Sequence, residues 1–228
     1  MSGRGAPLRS RLVAEGLGTV LLLAVIVGSG IMGDRLAQGN SAIALLANST
    51  ATGCGLFVLI LVLAPISGAH FNPLVSLLLA WQGKLSPRTA AAYLIAQLLG
   101  AFAGVAWAHA MFDLAPWSAS EHARTGVAQW LAEATAAFGL VVTVLGSARY
   151  GTVTLAAAVG AYIAAAYWFT ASTSFANPVV TIARALTPTF SGIRPADVAG
   201  FVVAQLIGAI IGSLLWQAIG RERTQGKR

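Results

Sequence analysis

Charged residues are scarce in this chain: Asp, Glu, Lys and Arg make up 9% of it, while 57% of the residues are hydrophobic. Soluble domains use about 25% charged residues, so the composition excludes an ordinary soluble protein. Residues 36–83 contain no charged residue at all. Because a transmembrane helix needs about 20 apolar residues, this stretch holds one span and a further shorter element. We therefore predict an integral membrane protein.

Cysteine is nearly absent too, since Cys54 is the only one. A single cysteine excludes an intrachain disulfide and a thiolate metal cluster. His70 has no other histidine or cysteine near it in the sequence, and no cluster of nucleophile, base and orienting residue is visible. We predict no metal, no cofactor and no catalytic residue, so the chain is not expected to be an enzyme.

Basic residues are in excess, with a net charge of +7, but they are dispersed among short loops and both termini. This spread argues against a nucleic-acid partner and favours an orientation signal in a lipid bilayer. If both termini are cytoplasmic, the inner side holds ten basic residues: Arg4, Arg9, Arg11, Lys84, Arg88, Arg149, Arg221, Arg223, Lys227 and Arg228. The outer side then holds four: Arg35, Arg124, Arg184 and Arg194. The excess on the inner side predicts cytoplasmic termini, with the signal-like N-terminal region retained as the first helix.

Six apolar segments are each near bilayer-spanning length. They cover residues 12–33, 42–66, 87–111, 127–147, 152–172 and 196–219. Two shorter apolar pieces, residues 72–81 and 177–186, remain. As helix each would extend roughly 15 Å, about half a membrane. The predicted fold class is an all-α membrane protein with six transmembrane helices and two half-helices.

The two halves of the chain repeat each other. Ser67-Gly68-Ala69-His70-Phe71-Asn72-Pro73-Leu74 has a counterpart about a hundred residues later in Thr173-Ser174-Phe175-Ala176-Asn177-Pro178-Val179-Val180. The segment from Tyr93 to Ala101 likewise matches the segment from Phe201 to Ala209 almost letter for letter. Two corresponding interrupted hydrophobic segments are typical of inverted-repeat membrane proteins, in which broken helices build the site.

Each half also carries one acid in its first helix and one glutamine in its last. The acids are Glu15 and Glu133, and the glutamines are Gln97 and Gln205. Each half therefore contains three spans, and an odd number forces the second copy to be inserted upside down. We predict one domain over residues 1–228, with repeat one at about 9–112 and repeat two at about 126–220.

The two Asn-Pro breaks predict half-helices that begin at the membrane midplane. Pro73 and Pro178 suit the first helical position, while Asn72 and Asn177 suit the capping position before it. The positive ends of the two helix dipoles would then meet at the midplane, where the asparagine amides present donors. Such a point repels cations.

The residues before each asparagine are expected to be extended, with their carbonyl groups turned towards a water-filled lumen. They form two predicted carbonyl ladders: Gly68, Ala69, His70 and Phe71 in the first loop, and Thr173, Ser174, Phe175 and Ala176 in the second. Neutral hydrogen-bonding solutes would pass along them. The N–H groups on the other side need buried acceptors, for which Glu15 and Glu133 are suitable.

At these residues the chain resembles the major intrinsic protein family, the aquaporins and glycerol facilitators, over essentially its whole length. The resemblance implies a right-handed bundle of six transmembrane helices with two re-entrant half-helices. It also implies a homotetramer with one pore per subunit and a multi-pass location in the bacterial inner membrane.

The chain departs from the family after both Asn-Pro pairs. Leu74 and Val179 replace alanines, which we expect to repack the starts of the half-helices. Val180 occupies the position at which most members carry the arginine of the outer selectivity filter. Arg184 lies a full helical turn deeper into the half-helix, which makes it a poor substitute for that arginine.

The resemblance places the other filter positions at Thr52, Ala165 and Ser174. Together with Val180, these side chains are small and uncharged, so we predict a wide filter that passes uncharged solutes larger than water. With a valine at this position, the chain also resembles a bacterial subgroup of the family that is linked to arsenic resistance. That resemblance implies arsenite and methylated arsenicals as solutes. Glycerol or urea would suit the same filter, and Trp168, Phe169 or Phe175 would narrow it by leaning in.

Other functions stay open on the sequence alone. A water-selective pore, a proton-coupled secondary transporter and a closed structural junction plugged by Leu74 and Val179 would each use a similar chain. Glu15 and Glu133 would carry protons in a transporter, and His70 would gate by protonation.

Overall fold

The computed structural model describes residues 5–225, which form eight α-helices and two short 3-10 turns. The α-helices are α1 (Leu8–Ala37), α2 (Ser41–Ser67), α3 (Pro73–Trp81), α4 (Pro87–Met111), α5 (Val127–Ser147), α6 (Thr152–Phe169), α7 (Pro178–Arg184) and α8 (Val198–Gln225). The 3-10 turns are Ala148–Tyr150 and Pro195–Asp197. The outermost terminal residues, on which part of the orientation prediction depends, lie outside the described range.

Six of these helices are long and apolar enough to cross a bilayer: α1, α2, α4, α5, α6 and α8. Their number and order confirm the predicted fold class. Several boundaries were wrong: α1 covers Leu8–Ala37 rather than residues 12–33, α6 ends at Phe169 rather than at residue 172, and α8 ends at Gln225 rather than at residue 219. The backbone becomes extended at Thr170 (φ −110°, ψ 136°), where the chain leaves α6 for the second loop.

The two half-helices, α3 and α7, start directly after the asparagines. The Asn72 side chain accepts a hydrogen bond from the Leu74 N–H at 2.9 Å, and Asn177 accepts from the Val179 N–H at 3.2 Å. Each asparagine therefore caps a helix whose first residue is a proline, which has no N–H to satisfy. The caps fix where each loop ends and each half-helix begins.

The long helices pack by the same pattern in both halves. Helix α1 lies against α2 and α4, and α5 lies against α6 and α8, while α2 and α6 join the halves. Gly100 of α4 touches the Gly16 backbone so closely that any side chain would overlap it, and Gly208 of α8 is in the same relation to Ala134. Small residues thus allow the backbones to approach, as in other membrane bundles.

A polar linker between the halves, residues 112–126, covers the end of the bundle towards which α7 points. We call this the α7 end. The Ser120 N–H donates to the Ala185 carbonyl at 3.0 Å. The Arg124 Nε donates to the Gly192 carbonyl at 2.8 Å, and the Arg124 N–H donates to the Asp197 carboxylate at 2.8 Å. The linker therefore holds the chain that follows α7 in place.

Candidate functional site: a path between the two Asn-Pro loops

A cavity of about 110 Å³ runs between the two loops and the half-helices, which is room for several water molecules. One wall is built from the loops: Gly68, Ala69, His70, Phe71, Asn72, Ser174, Phe175, Ala176 and Asn177. The opposite wall is apolar and comes from the long helices: Leu22, Ile26, Leu56, Ile60, Leu140, Val144, Leu155, Val159 and Ile163. The lumen therefore has one hydrogen-bonding side and one hydrocarbon side.

The two asparagines lock the loops together at the middle of this path. The Asn72 Nδ2 donates to the Ala176 carbonyl at 2.8 Å, and the Asn177 Nδ2 donates to the Phe71 carbonyl at 2.8 Å. A carboxamide nitrogen carries two hydrogens, so each asparagine keeps one N–H beyond this lock. Since both asparagines line the cavity, that donor is available to a passing solute.

The loop backbones adopt conformations that non-glycine residues seldom take. Ala69 and Phe71 have φ near +50° in the first loop, and Ser174 and Ala176 have φ of 49° and 46° in the second. Residues in this left-handed region cost roughly 1–2 kcal/mol each, and such strain persists only where the surroundings impose it. The expectation that the ladder residues are extended was therefore wrong, because Gly68 and Thr173 are left-handed as well, with φ of 96° and 60°.

Two fully buried carboxylates hold these conformations, and each serves one loop. Glu15 accepts from the His70 N–H at 2.9 Å and from the Phe71 N–H at 2.8 Å. Glu133 accepts in the same way from the Phe175 and Ala176 N–H groups, both at 2.9 Å. Every one of these donors belongs to a predicted ladder residue.

A glutamine completes each carboxylate site. The Gln97 Nε2 donates to Glu15 at 2.8 Å, and the Gln205 Nε2 donates to Glu133 at 2.6 Å. The matched pairs show that the internal repeat extends to individual hydrogen bonds. Because the carboxylate oxygens are occupied by loop and glutamine donors, their geometry is that of a support for the loops rather than of a proton relay.

The two replaced alanines do not block the path. Neither Leu74 nor Val179 lines the cavity. Leu74 packs with Leu78 of α3 and Val141 of α5, and Val179 belongs to the main apolar core. Both side chains thus fill space around the half-helices, which argues against the plugged junction.

Three of the four filter positions taken from the family lie at the cavity: Thr52, Ser174 and Val180. The fourth, Ala165, was wrong, because it is exposed on the outer face of α6. The residues of α6 that face the cavity are spaced by four, and they are Leu155, Val159, Ile163 and Tyr167. A residue two positions away from this stripe points to the opposite side of a helix.

Tyr167 therefore takes the place expected for Ala165, and the filter is not lined by small residues alone. Its hydroxyl lies 3.3 Å from the Thr52 Oγ1, so a hydroxyl pair joins α2 to α6 at the lumen. Trp168 and Phe169 are exposed on the outside of the bundle and do not narrow the path. The sequence does not reveal where α6 ends, and this position decides whether Tyr167 or Ala165 faces the lumen.

Arg184 also lines the cavity and is almost fully buried, at 1% exposure. Its guanidinium carbon lies 3.3 Å from the centre of the Phe175 ring, and its Nε donates to the Ser191 carbonyl. From the sequence, Arg184 was a poor substitute for the filter arginine because it lies a full helical turn further along α7. The structure instead brings it to the same cavity as Val180.

A second arginine, Arg124, lies behind Phe175, with its guanidinium carbon 5.1 Å from the ring centre. Its Nη1 donates to the Ser172 carbonyl at 3.1 Å. Burial lowers the pKa of Arg124, and the negative charge of Glu133 partly offsets this effect. Arg124 does not line the cavity, so we assign it to the support of the second loop.

Comparison with known proteins agrees with this geometry. The family model described as Major intrinsic protein matches residues 4–152. The chain is 59% identical to Aquaglyceroporin AqpS of Rhizobium meliloti over 203 residues, covering 89% of this chain and 87% of that protein. It is 28% identical to Aquaporin Z of Rhodopseudomonas palustris over 230 residues, covering 94% and 95%.

Among solved structures, the aquaglyceroporin from Plasmodium falciparum superimposes with a TM-score of 0.74, covering 92% of this chain and 96% of that one. The sequence identity is 19%, so this likeness concerns the fold. The family match and the bacterial relative at 59% identity show that the chain belongs to the major intrinsic protein family of membrane channels for water- and glycerol-type solutes.

Proposed function

We propose that the chain is a passive channel for small uncharged hydroxylated solutes: glycerol-like polyols, arsenite with its methylated forms, and water. The observation that carries this proposal is the two-sided lumen, with the Asn-Pro loops on one side and aliphatic side chains on the other. A polyol has the same two sides, since its hydroxyl groups project from a hydrocarbon chain. In the lumen, its hydroxyl groups replace their hydrogen bonds to water with hydrogen bonds to loop carbonyls and asparagine N–H groups, while its carbon atoms contact the apolar wall.

The filter supports solutes larger than water. Val180 places an aliphatic side chain at the position where most family members carry an arginine, and Ser174 faces the same cavity. Arsenite is uncharged As(OH)3 and offers three hydroxyl groups, which suits a ring of Thr52, Tyr167 and Ser174 hydroxyls. The relative named Aquaglyceroporin AqpS adds support for a solute range beyond water.

One observation favours a second candidate, a water-selective pore. Tyr167 lines the cavity at the place where the sequence predicted an alanine, and its hydroxyl approaches Thr52. An aromatic ring at this point reduces the diameter on which selectivity depends. The two candidates differ in glycerol and arsenite flux but not in water flux.

Purified protein in liposomes provides the test. Stopped-flow light scattering records shrinkage and re-swelling under sucrose, glycerol and arsenite gradients. We expect glycerol and arsenite to re-swell wild-type vesicles at least about tenfold faster than empty ones, and Val180→Arg to slow both because a guanidinium narrows the filter. Water flux without glycerol or arsenite flux would establish the water-selective pore, and undiminished flux of the larger solutes in Val180→Arg would refute the role of Val180.

Two controls separate the channel from its rivals. Ala165→Leu changes an exposed residue two positions from Tyr167, so it should leave all fluxes unchanged. A coupled transporter saturates and depends on a proton or sodium gradient, whereas a channel shows flux proportional to the solute gradient. A pore with no flux above bare lipid would point to the structural junction.

The proposal includes an assembly and an orientation. We propose a homotetramer with one pore per subunit in the bacterial inner membrane, and cytoplasmic N- and C-termini. The family resemblance supports the tetramer, and the ten-to-four distribution of basic residues supports the orientation. In this arrangement the α7 end of the path faces the outside of the cell.

A further inference from the structure

The inverted repeat assigns equivalent positions to the two half-helices. Counting from the capping asparagines, Val75 of α3 corresponds to Val180 of α7, and Leu79 corresponds to Arg184. All four residues line the cavity. Position 184 therefore faces the lumen because of the repeat itself, and the two ends of the path differ there by a leucine and an arginine.

The direction of the Arg184 side chain brings its charge back towards Val180. Helical residues four apart lie on one face, and their side chains lean towards the helix N-terminus. The guanidinium accordingly reaches Phe175, a residue of the second carbonyl ladder, and stacks on its ring at 3.3 Å. The charge lies beside the loop although its backbone is a turn further along α7.

The guanidinium is held firmly but is not neutralised by an ion pair. Its Nε donates to the Ser191 carbonyl, whereas its Nη1 is buried and has no hydrogen-bond partner. Among the described side chains, the one ion pair is that of Arg194 with Asp197, so no carboxylate pairs with Arg184. The Glu133 oxygens are already occupied by Phe175, Ala176 and Gln205.

An unpaired buried charge inside a membrane protein is costly and marks a functional position. A cation that enters the path from the α7 end meets this charge in a setting with little water, where electrostatic repulsion is strong. Uncharged solutes are not repelled, and the free Nη1 offers their hydroxyl groups a donor. The arrangement combines a wide passage at Val180 with a positive charge beside it.

We propose that Arg184 is the charge-selectivity residue of this pore: it excludes protons and metal cations at the α7 end, while Val180 leaves the path wide enough for polyols. This proposal rests on the proposed function, since a charge barrier matters only along an open path. In this proposal Val180 sets the width of the path and Arg184 excludes cations, and both residues lie on one face of α7.

Liposomes containing the full chain test the proposal with two independent readouts. Proton and sodium leak are measured with a trapped pH dye and a sodium dye under a potassium diffusion potential, and glycerol flux is measured by light scattering. We expect Arg184→Met to raise both leaks about tenfold or more, while glycerol flux stays above that of empty vesicles. Arg184→Lys should keep the leaks low because it retains the charge.

Two further variants distinguish charge at the lumen from loop support and from surface charge. Arg194→Met removes a positive charge from an exposed side chain near the same end, and it should leave both leaks low. Val180→Arg combined with Arg184→Met should restore low leaks while slowing glycerol, because a guanidinium returns to the path. A purely structural role for Arg184 would not be rescued in this way.

The possible failures are distinguishable. Glycerol flux with unchanged leaks in Arg184→Met overturns the role of Arg184 but leaves the proposed function standing. Wild-type vesicles that pass water but no glycerol or arsenite overturn the proposed function, and the leak comparison still decides on Arg184. Vesicles that pass none of the three have a closed path, and that result overturns both proposals. If Arg184→Met does not insert, Arg184→Gln replaces it, and low leaks in that variant contradict the proposal.

Discussion

At the scale of residues, the path is defined by a few side chains that point into it and by others that hold them there. The Tyr167 and Thr52 hydroxyl groups lie 3.3 Å apart in the cavity wall, and Val180 lines the same cavity. Behind the loops, Glu15 and Glu133 are fully buried and engage loop N–H groups. Replacing a lining residue should change selectivity, whereas replacing a supporting residue should change stability and flux together.

Tyr167→Ala should widen the filter. Without the aromatic ring, polyols longer than glycerol should pass several-fold faster, since pore diameter sets which neutral solutes are admitted. Swelling rates of proteoliposomes in glycerol, erythritol and ribitol would measure this effect. Phe169→Ala is the matched control, because this aromatic residue of the same helix is exposed outside the bundle. An equal response of the two variants would contradict the placement of Tyr167.

Glu133→Gln should destabilise the second loop. A glutamine has one acceptor oxygen where the carboxylate has two, so one of the buried Phe175 and Ala176 N–H groups loses its partner. The expected cost is about 1–3 kcal/mol in the free energy of unfolding, measurable as a lower Tm in detergent, together with slower solute flux. Glu121→Gln is the control, since Glu121 is exposed on the linker.

Glu133→Gln also tests the competing interpretation, in which Glu15 and Glu133 carry protons. A proton carrier replaced by glutamine would leave the Tm unchanged and abolish a dependence of flux on the proton gradient. A stable Glu133→Gln protein with that loss would contradict the supporting role that we assign to Glu133.

At the scale of elements, the helices approach one another through small residues placed alike in both halves. Gly100 of α4 lies directly on the Gly16 backbone of α1, whereas a Cβ added at Gly16 would be 3.6 Å from the Ala96 carbonyl oxygen. The two glycines share one interface but tolerate a methyl group differently. The interface between α1 and α4 therefore has room for a Cβ at Gly16 but not at Gly100.

Gly100→Ala should consequently destabilise the bundle and Gly16→Ala should not. Overpacking of this kind costs about 1–3 kcal/mol, while a Cβ at ordinary contact distance is accommodated. Thermal unfolding of both variants in the same detergent would measure the difference in Tm. Equal Tm values for the two variants would show that α1 and α4 pack differently from the arrangement described.

The elements also show what the sequence could and could not predict. The half-helices and their supports were predictable, because Asn-Pro in an apolar segment and the repeated Glu and Gln have direct physical meaning. Ala165 was misplaced because the number of residues between the end of α6 and Asn177 sets which face of α6 meets the lumen. Arg184 was undervalued because its backbone position does not reveal where a long side chain ends, although its equivalence to Leu79 was visible in the sequence.

At the scale of the whole molecule, two inverted halves enclose one path with one polar and one apolar wall. Its centre is fixed by reciprocal hydrogen bonds from Asn72 to Ala176 and from Asn177 to Phe71. Nothing in this arrangement drives a solute in one direction, so uptake or release should follow the concentration gradient. Reversing the glycerol gradient across oriented vesicles should therefore reverse the flux without changing the permeability.

We propose that neutral solutes larger than water cross the protein through the lumen at Val180. The most direct measurement is the initial rate of glycerol re-swelling in proteoliposomes of wild type and of Val180→Trp, at equal protein content and with insertion confirmed. Re-swelling should be fast in wild type and close to the rate of empty vesicles in the variant, because the indole fills the path. Glycerol entry that is equally fast in Val180→Trp, or absent from wild type, would contradict this proposal.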